Sequence, residues 1–204
     1  LPDWYWFNHA LVECYYQKDE NSDSTTLQIL SGVEAFSIKI KDFETNRTVS
    51  TISATKLNTN IVGQDFDVYE ANISYSSLDG YYYLEVEWVD GTSKSLYSVP
   101  FHVADSHEGT LLFEYKNSEN DFSVIFAKNT VFKFRVEGTI QNFTPSSNDE
   151  IYNDQNHNPT LLYSMPFQKW TLFIGNAAGV PDWVSDKFNS IMSCFIIKIY
   201  GTSF

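Results

Sequence analysis

Basic residues are scarce in this 204-residue chain: 13 Lys and Arg stand against 26 Asp and Glu, a formal net charge of −13. A surface that acidic repels phosphate backbones and argues against a nucleic-acid-binding role. Cysteine is scarcer still. Cys14 and Cys194 lie far apart, too few for a disulfide framework in a chain long enough to bury a core, and both read as ordinary buried thiols. No apolar run approaches the roughly 18 residues that a membrane span needs. The opening "LPDWYWFNHALVE" lacks a basic n-region and an uninterrupted apolar core, so it does not read as a signal peptide.

Catalytic signatures are missing as well. There is no G-x-S-x-G, no Gly-rich phosphate loop, and no histidine near either cysteine in the sequence. His9, His102, His107 and His157 are scattered, without the spacing of a zinc site. The 26 carboxylates offer many pairs for glycoside hydrolysis, but spacing along a chain does not bring two into one cleft, and solvated acidic faces are the simpler reading. The expectation is a protein that is not an enzyme and has no cofactor or metal. Three N-x-[ST] triplets, at Asn46, Asn72 and Asn142, read as chance occurrences.

Aromatic residues make up 17% of the chain, with 13 Tyr and 16 Phe, and this bias favours strands. Up to about Ala104 short strands alternate with polar turns. "LVECYY" reads as one strand, and in "AFSIKIKDF" Phe36, Ile38 and Ile40 share a face at period two. Leu84, Val86 and Trp88 alternate with Tyr83, Glu85 and Glu87 before Asp90-Gly91, a strong hairpin signal; the returning strand runs through Leu96 to Val103. Gly80, Tyr82 and Leu84 resemble the tyrosine corner of immunoglobulin-like sandwiches, where a tyrosine hydroxyl bonds backbone. The polar break "ADSHEG" (104–109) divides the chain into an expected immunoglobulin-like β-sandwich at 1–105 and a mixed β domain at 106–204.

In that second domain "TLLFEY", "DFSVIF" and "TVFKFRVEG" suggest a three-stranded meander, and "TLLYSMPFQKWTLFIG" one interrupted strand or two short ones. The one convincing helix lies near 181–192. Pro181 and Asp182 suit its start, and Val184, Phe188, Ile191 and Met192 fall on one face. The strand "FIIKIYG" follows. Near the N-terminus, Trp4, Tyr5, Trp6 and Phe7 cluster, favouring burial or a subunit interface over sugar stacking.

Between two hydrophobic stretches sits "PSSNDEIYNDQNHNP", residues 145–159, expected to be a long polar loop. Asp154, Asn156 and Asn158 open a calcium-loop pattern. It then fails, because Pro159 replaces the glycine and Met165 the bidentate glutamate, so a turn-forming role is the better reading.

The Tyr115, Asn117, Asn120, Asp121 and Phe122 hairpin, this acidic loop, and the passage Ile174, Gly175, Gly179, Val180, Pro181 and Trp183 form a recurring combination. Across about residues 110–200 it resembles small virion assembly proteins, of tail or neck ring type, from tailed phages infecting Bacteroidetes, including the crAss-like phages. The resemblance implies a non-enzymatic structural subunit of the virion, assembled in the host bacterial cytoplasm. Its implied partners are identical subunits in a cyclic ring and other tail or neck proteins. DNA would pass through the lumen without specific binding, and no membrane is involved. The expected subunit-interface residues are Asn148, Asp149, Glu150, Ile151, Tyr152, Asp154, Asn156 and His157, ordered by an adjacent copy. The competing reading is a cell-surface carbohydrate-binding or adhesive β-sandwich module.

Overall fold

A computed structural model describes residues 16–31, 36–60, 67–117, 130–175 and 179–201. It is mainly β, with several sheets and one helix among the described residues. His9, Cys14, the Trp4–Phe7 cluster, the start of "LVECYY", "DFSVIF", and Asn120, Asp121 and Phe122 lie outside them.

The strands are β1 (Gln17–Glu20), β2 (Ser24–Ser31), β3 (Phe36–Asp42), β4 (Thr48–Ile52), β5 (Thr55–Asn60), β6 (Asp67–Ser74), β7 (Gly80–Asp90), β8 (Thr92–Tyr97) and β9 (Phe101–Ala104). One sheet has the order β1-β9-β7-β3-β4, with β8 also on β7; a second has the order β2-β6-β5. Period-two alternation sets their packing. Ile38 opposes Val86 and Ile40 opposes Leu84, and all four are buried in one cluster with Leu27 of β2 and Ala71 and Ile73 of β6. The other face of the same two strands is charged, with Lys39 paired to Glu87 and Lys41 to Glu85. The turn after Asp90 uses Gly91 at φ +69°, a conformation that glycine adopts without strain. The returning strand is split. β8 pairs with the far half of β7 and β9 with the near half, and between them the Ser98 hydroxyl accepts the Leu84 N–H at 2.8 Å.

At the entry to β7 the Tyr82 ring is buried. Its hydroxyl donates to the Asp79 carbonyl at 3.0 Å and accepts from the Asp79 N–H at 3.2 Å. This is the backbone bond expected of a corner tyrosine.

The remaining elements are β10 (Thr110–Lys116), β11 (Phe132–Asn153), β12 (Pro159–Ile174), α1 (Asp182–Met192) and β13 (Ile196–Gly201). The sheet order is β12-β11-β10-β13, so β10 pairs directly with β11 and with the last strand. The helix covers one face of this sheet, burying Trp183, Val184 and Ile191 against Leu111, Phe113, Tyr115, Phe132, Phe134 and Val136. Val184, Phe188 and Ile191 of the expected face pack on this core. Met192 is exposed in the last turn, while Trp183 and Lys187 are buried, the Lys187 ammonium lying 4.8 Å from the centre of the Phe134 ring. A cation over an aromatic face can occupy a site that hydrophobic periodicity assigns to an apolar residue. Cys194 is a free, buried thiol, pushed up to about 11 by that burial, which leaves it protonated and inert.

The two hydrophobic clusters, one drawn from residues 27–103 and the other from 111–197, meet at an ionic seam. Buried Arg135 of β11 donates to Asp23 at 2.6 and 3.1 Å, to Glu20 at 2.9 Å and to the Thr110 hydroxyl at 3.0 Å. Lys18 pairs with Glu137, and the Gln17 amide donates to the Arg135 carbonyl. Asp19 lies in the same seam, fully buried, and its carboxyl is pushed up to about 8, chiefly by burial and then by the neighbouring Asp23 charge.

Candidate assembly interface

Residues 145–159 are not a long loop. Residues up to Asn153 belong to β11 and Pro159 opens β12, leaving Asp154–Asn158 as a five-residue turn between paired strands. Polar composition suggested a loop because strand alternation needs a buried face, and this segment has none. Side chains from Gln141 to Thr171 are almost all exposed, on both faces of the ribbon. From Gly138–Ile174 to Asn153–Pro159 the ribbon is an arm of 14 residue pairs, roughly 45 Å long at strand rise.

Gly138 sits where the arm leaves the body. It pairs with Ile174, and a Cβ there would come within 2.5 Å of the Phe173 carbonyl oxygen. Just beyond, a bulge between Gln141 and Thr144 places Asn142 at φ +57°, and Phe143 packs on Trp170 with ring centres 4.9 Å apart. Ile140, Leu172 and Ile174 anchor the base against the helix-covered core. At the tip, the Asp154 carboxylate accepts the N–H groups of Asn156 and Asn158, each at 2.8 Å, and the Asn158 amide at 3.0 Å. These bonds, the Asn158 ones first, hold its carboxyl below the usual range. Its oxygens serve the turn. Among the described residues no group of three or more His, Cys, Asp or Glu is placed to hold a metal ion.

Because cross-strand partners share a face, the expected interface residues divide. Asn148 opposes Met165, Glu150 opposes Tyr163 and Tyr152 opposes Thr160 on one face; Asp149 opposes Ser164 and Ile151 opposes Leu161 on the other. Asp149 accepts hydroxyl bonds from Ser164 at 2.6 Å and Ser147 at 2.9 Å, which hold its carboxyl low. Asp154, Asn156 and His157 form the tip, with His157 at φ +64°.

The sequence reading missed the stripe on β12. Tyr163 (53% exposed), Met165 (48%) and Phe167 (37%) lie in a row beside Tyr152 (55%), with the Lys169 ammonium near the Phe167 ring. The signal was legible as period two in "YSMPFQ", where Tyr, Met and Phe alternate with Ser, Pro and Gln. Ten large apolar side chains are exposed between Phe143 and Phe173. At on the order of 100 Å² each, half the area such a side chain can bury, they present roughly 1,000 Å² over the two faces. A monomer's largest apolar patch is usually about 300–600 Å², and one side of a standard protein interface is about 800 Å². Pro145 and Pro166 interrupt the ribbon's open edges, as proline does where continued strand pairing is to be blocked.

Comparison with protein-family models, with curated proteins and with solved structures finds no match.

Proposed function

We propose that the chain is a non-enzymatic structural subunit of a tailed-bacteriophage virion, forming a ring or adaptor in the tail or neck. The observation that carries this reading is the arm, a ribbon too apolar for a free surface. A lone two-stranded ribbon is marginal in water, so an arm of this length gains most of its order from a partner. The identical subunits of a ring supply that partner at fixed geometry.

The N-terminal part fits the same use as an immunoglobulin-like β-sandwich. Support comes from the order β2-β6-β5 beside β3-β7-β9, which follows the B-E-D and C-F-G pattern, and from the Tyr82 hydroxyl bond to backbone. Within the assembled virion, identical subunits and other tail or neck proteins are the partners, and DNA passes an acidic lumen without adhering.

Electron microscopy of the purified chain tests the proposal. Closed rings of uniform size are expected. A monomer that binds immobilised glycans would instead favour the carbohydrate-binding alternative.

A further inference from the structure

Beyond residue 131, the exposed large apolar side chains of the described residues fall into two groups. One is the arm. The other is Met192, Phe195, Ile199 and Tyr200, around the end of α1 and the last strand. The order β12-β11-β10-β13 puts the groups at opposite edges of one sheet. Met192 and Phe195 also sit at the opposite end of it. The arm departs at Gly138, just past the pairing of Glu137 with Thr110 at the start of β10. Met192 and Phe195 precede Ile196, which pairs with Lys116 at the finish of β10. Met192 and Phe195 thus hold the corner diagonal to the arm, and Ile199 and Tyr200, which pair with Phe113 and Leu112, extend the group along the β13 edge towards the arm's end.

We infer that the arm of one copy docks on the β13 corner of the next, head to tail, with Tyr163, Met165 and Phe167 against Met192, Phe195 and Ile199. This inference rests on the reading of the chain as a self-assembling subunit. The occupant is a second copy because one chain carries both apolar groups and a single copy leaves both in water. Arm-to-arm contact across a two-fold axis would cover the first group and leave the second exposed. A head-to-tail contact covers both, and repeated by rotation it closes into a ring. The docking face, with Tyr152, Tyr163, Met165 and Phe167, supplies roughly 400 Å² at on the order of 100 Å² each, about half of one side of a standard interface.

Charge gives the contact a signature. Each chain carries −13, so long-range forces oppose association, and the contact must be apolar at its centre. The arm carries Asp149, Glu150 and Asp154 against Lys169, while β13 contributes Lys198 and no carboxylate. The local contact is thus attractive while the whole chains repel, and salt screens both.

The test uses two variants of the full chain, Met165→Glu with Phe167→Glu on the arm, and Phe195→Asp with Ile199→Lys at the corner. Native mass spectrometry reads each alone and the two mixed. Each variant alone is expected to be monomeric. The mixture is expected to give a 1:1 heterodimer, because the arm of the corner variant and the corner of the arm variant are both intact. An unfolded variant could not form that heterodimer, so the mixture also controls for folding. If the corner variant assembles like wild type while the arm variant does not, the arm is an assembly element but its site is elsewhere, and this inference fails alone. No heterodimer on mixing, or a wild-type assembly that stops at two copies, also overturns it. If wild type is monomeric, or both variants assemble normally, the assembly reading itself fails.

Discussion

Asp19 makes stability depend on pH in an unusual direction. Burial and the Asp23 charge raise its carboxyl from an ordinary 3.8 to about 8, so folding takes up a proton between those values. A group whose folded pKa is raised contributes stability that is present below its unfolded value and lost as pH rises through the folded one. From about pH 6.5 to 8.5 the loss integrates to about 2 kcal/mol, at up to about 1.4 kcal/mol per unit. His102, lowered mainly by burial, acts in the opposite sense but below its ordinary 6.5, outside this window. Urea unfolding of wild type and Asp19→Asn at the two pH values measures the effect. Wild type should lose about 2 kcal/mol across the window, and Asp19→Asn should lose little. Equal losses in the two proteins would refute the assignment of a protonated Asp19 in the seam.

Three further outcomes follow from local geometry and charge. Tyr82→Phe removes the hydroxyl bonded to Asp79 and should cost about 1 kcal/mol in urea unfolding, whereas Tyr81→Phe, at an exposed ring, should cost less. Gly138→Ala drives a methyl into the Phe173 carbonyl and should cost about 1–3 kcal/mol, read as a lower melting temperature. With a net charge of −13, the purified chain should show no binding to double-stranded DNA at low salt; tight binding that salt weakens would contradict a non-adhesive lumen.

Where a strand had a dry side, its residues announced it. Ile38 and Ile40 against Leu84 and Val86, the Asp90-Gly91 turn, and a helix opening at Asp182 after Pro181 were all legible, because burial and turn chemistry act on neighbours in the sequence. The arm was hidden for the converse reason. With water on both faces β11 needs no alternation from Pro145 to Asn153, and Asn and Asp there resemble loop residues. The interface residues expected at 148–157 do lie on the arm, but its apolar stripe is on the other strand, in Tyr163, Met165 and Phe167. The seam was illegible altogether. Arg135 meets Asp23 across 112 residues, and no local pattern marks an arginine for burial beside a distant carboxylate.

The most direct measurement is the assembly state with and without the arm. Replacing residues 145–168 by Asn-Gly joins Thr144 to Lys169, already a directly opposed pair, through a two-residue turn and leaves the anchored base intact. Native mass spectrometry across a concentration series should find wild type in a closed cyclic oligomer and the shortened chain as a monomer with an unchanged fold by circular dichroism. A shortened chain that assembles as wild type does would contradict the claim that the arm builds the assembly.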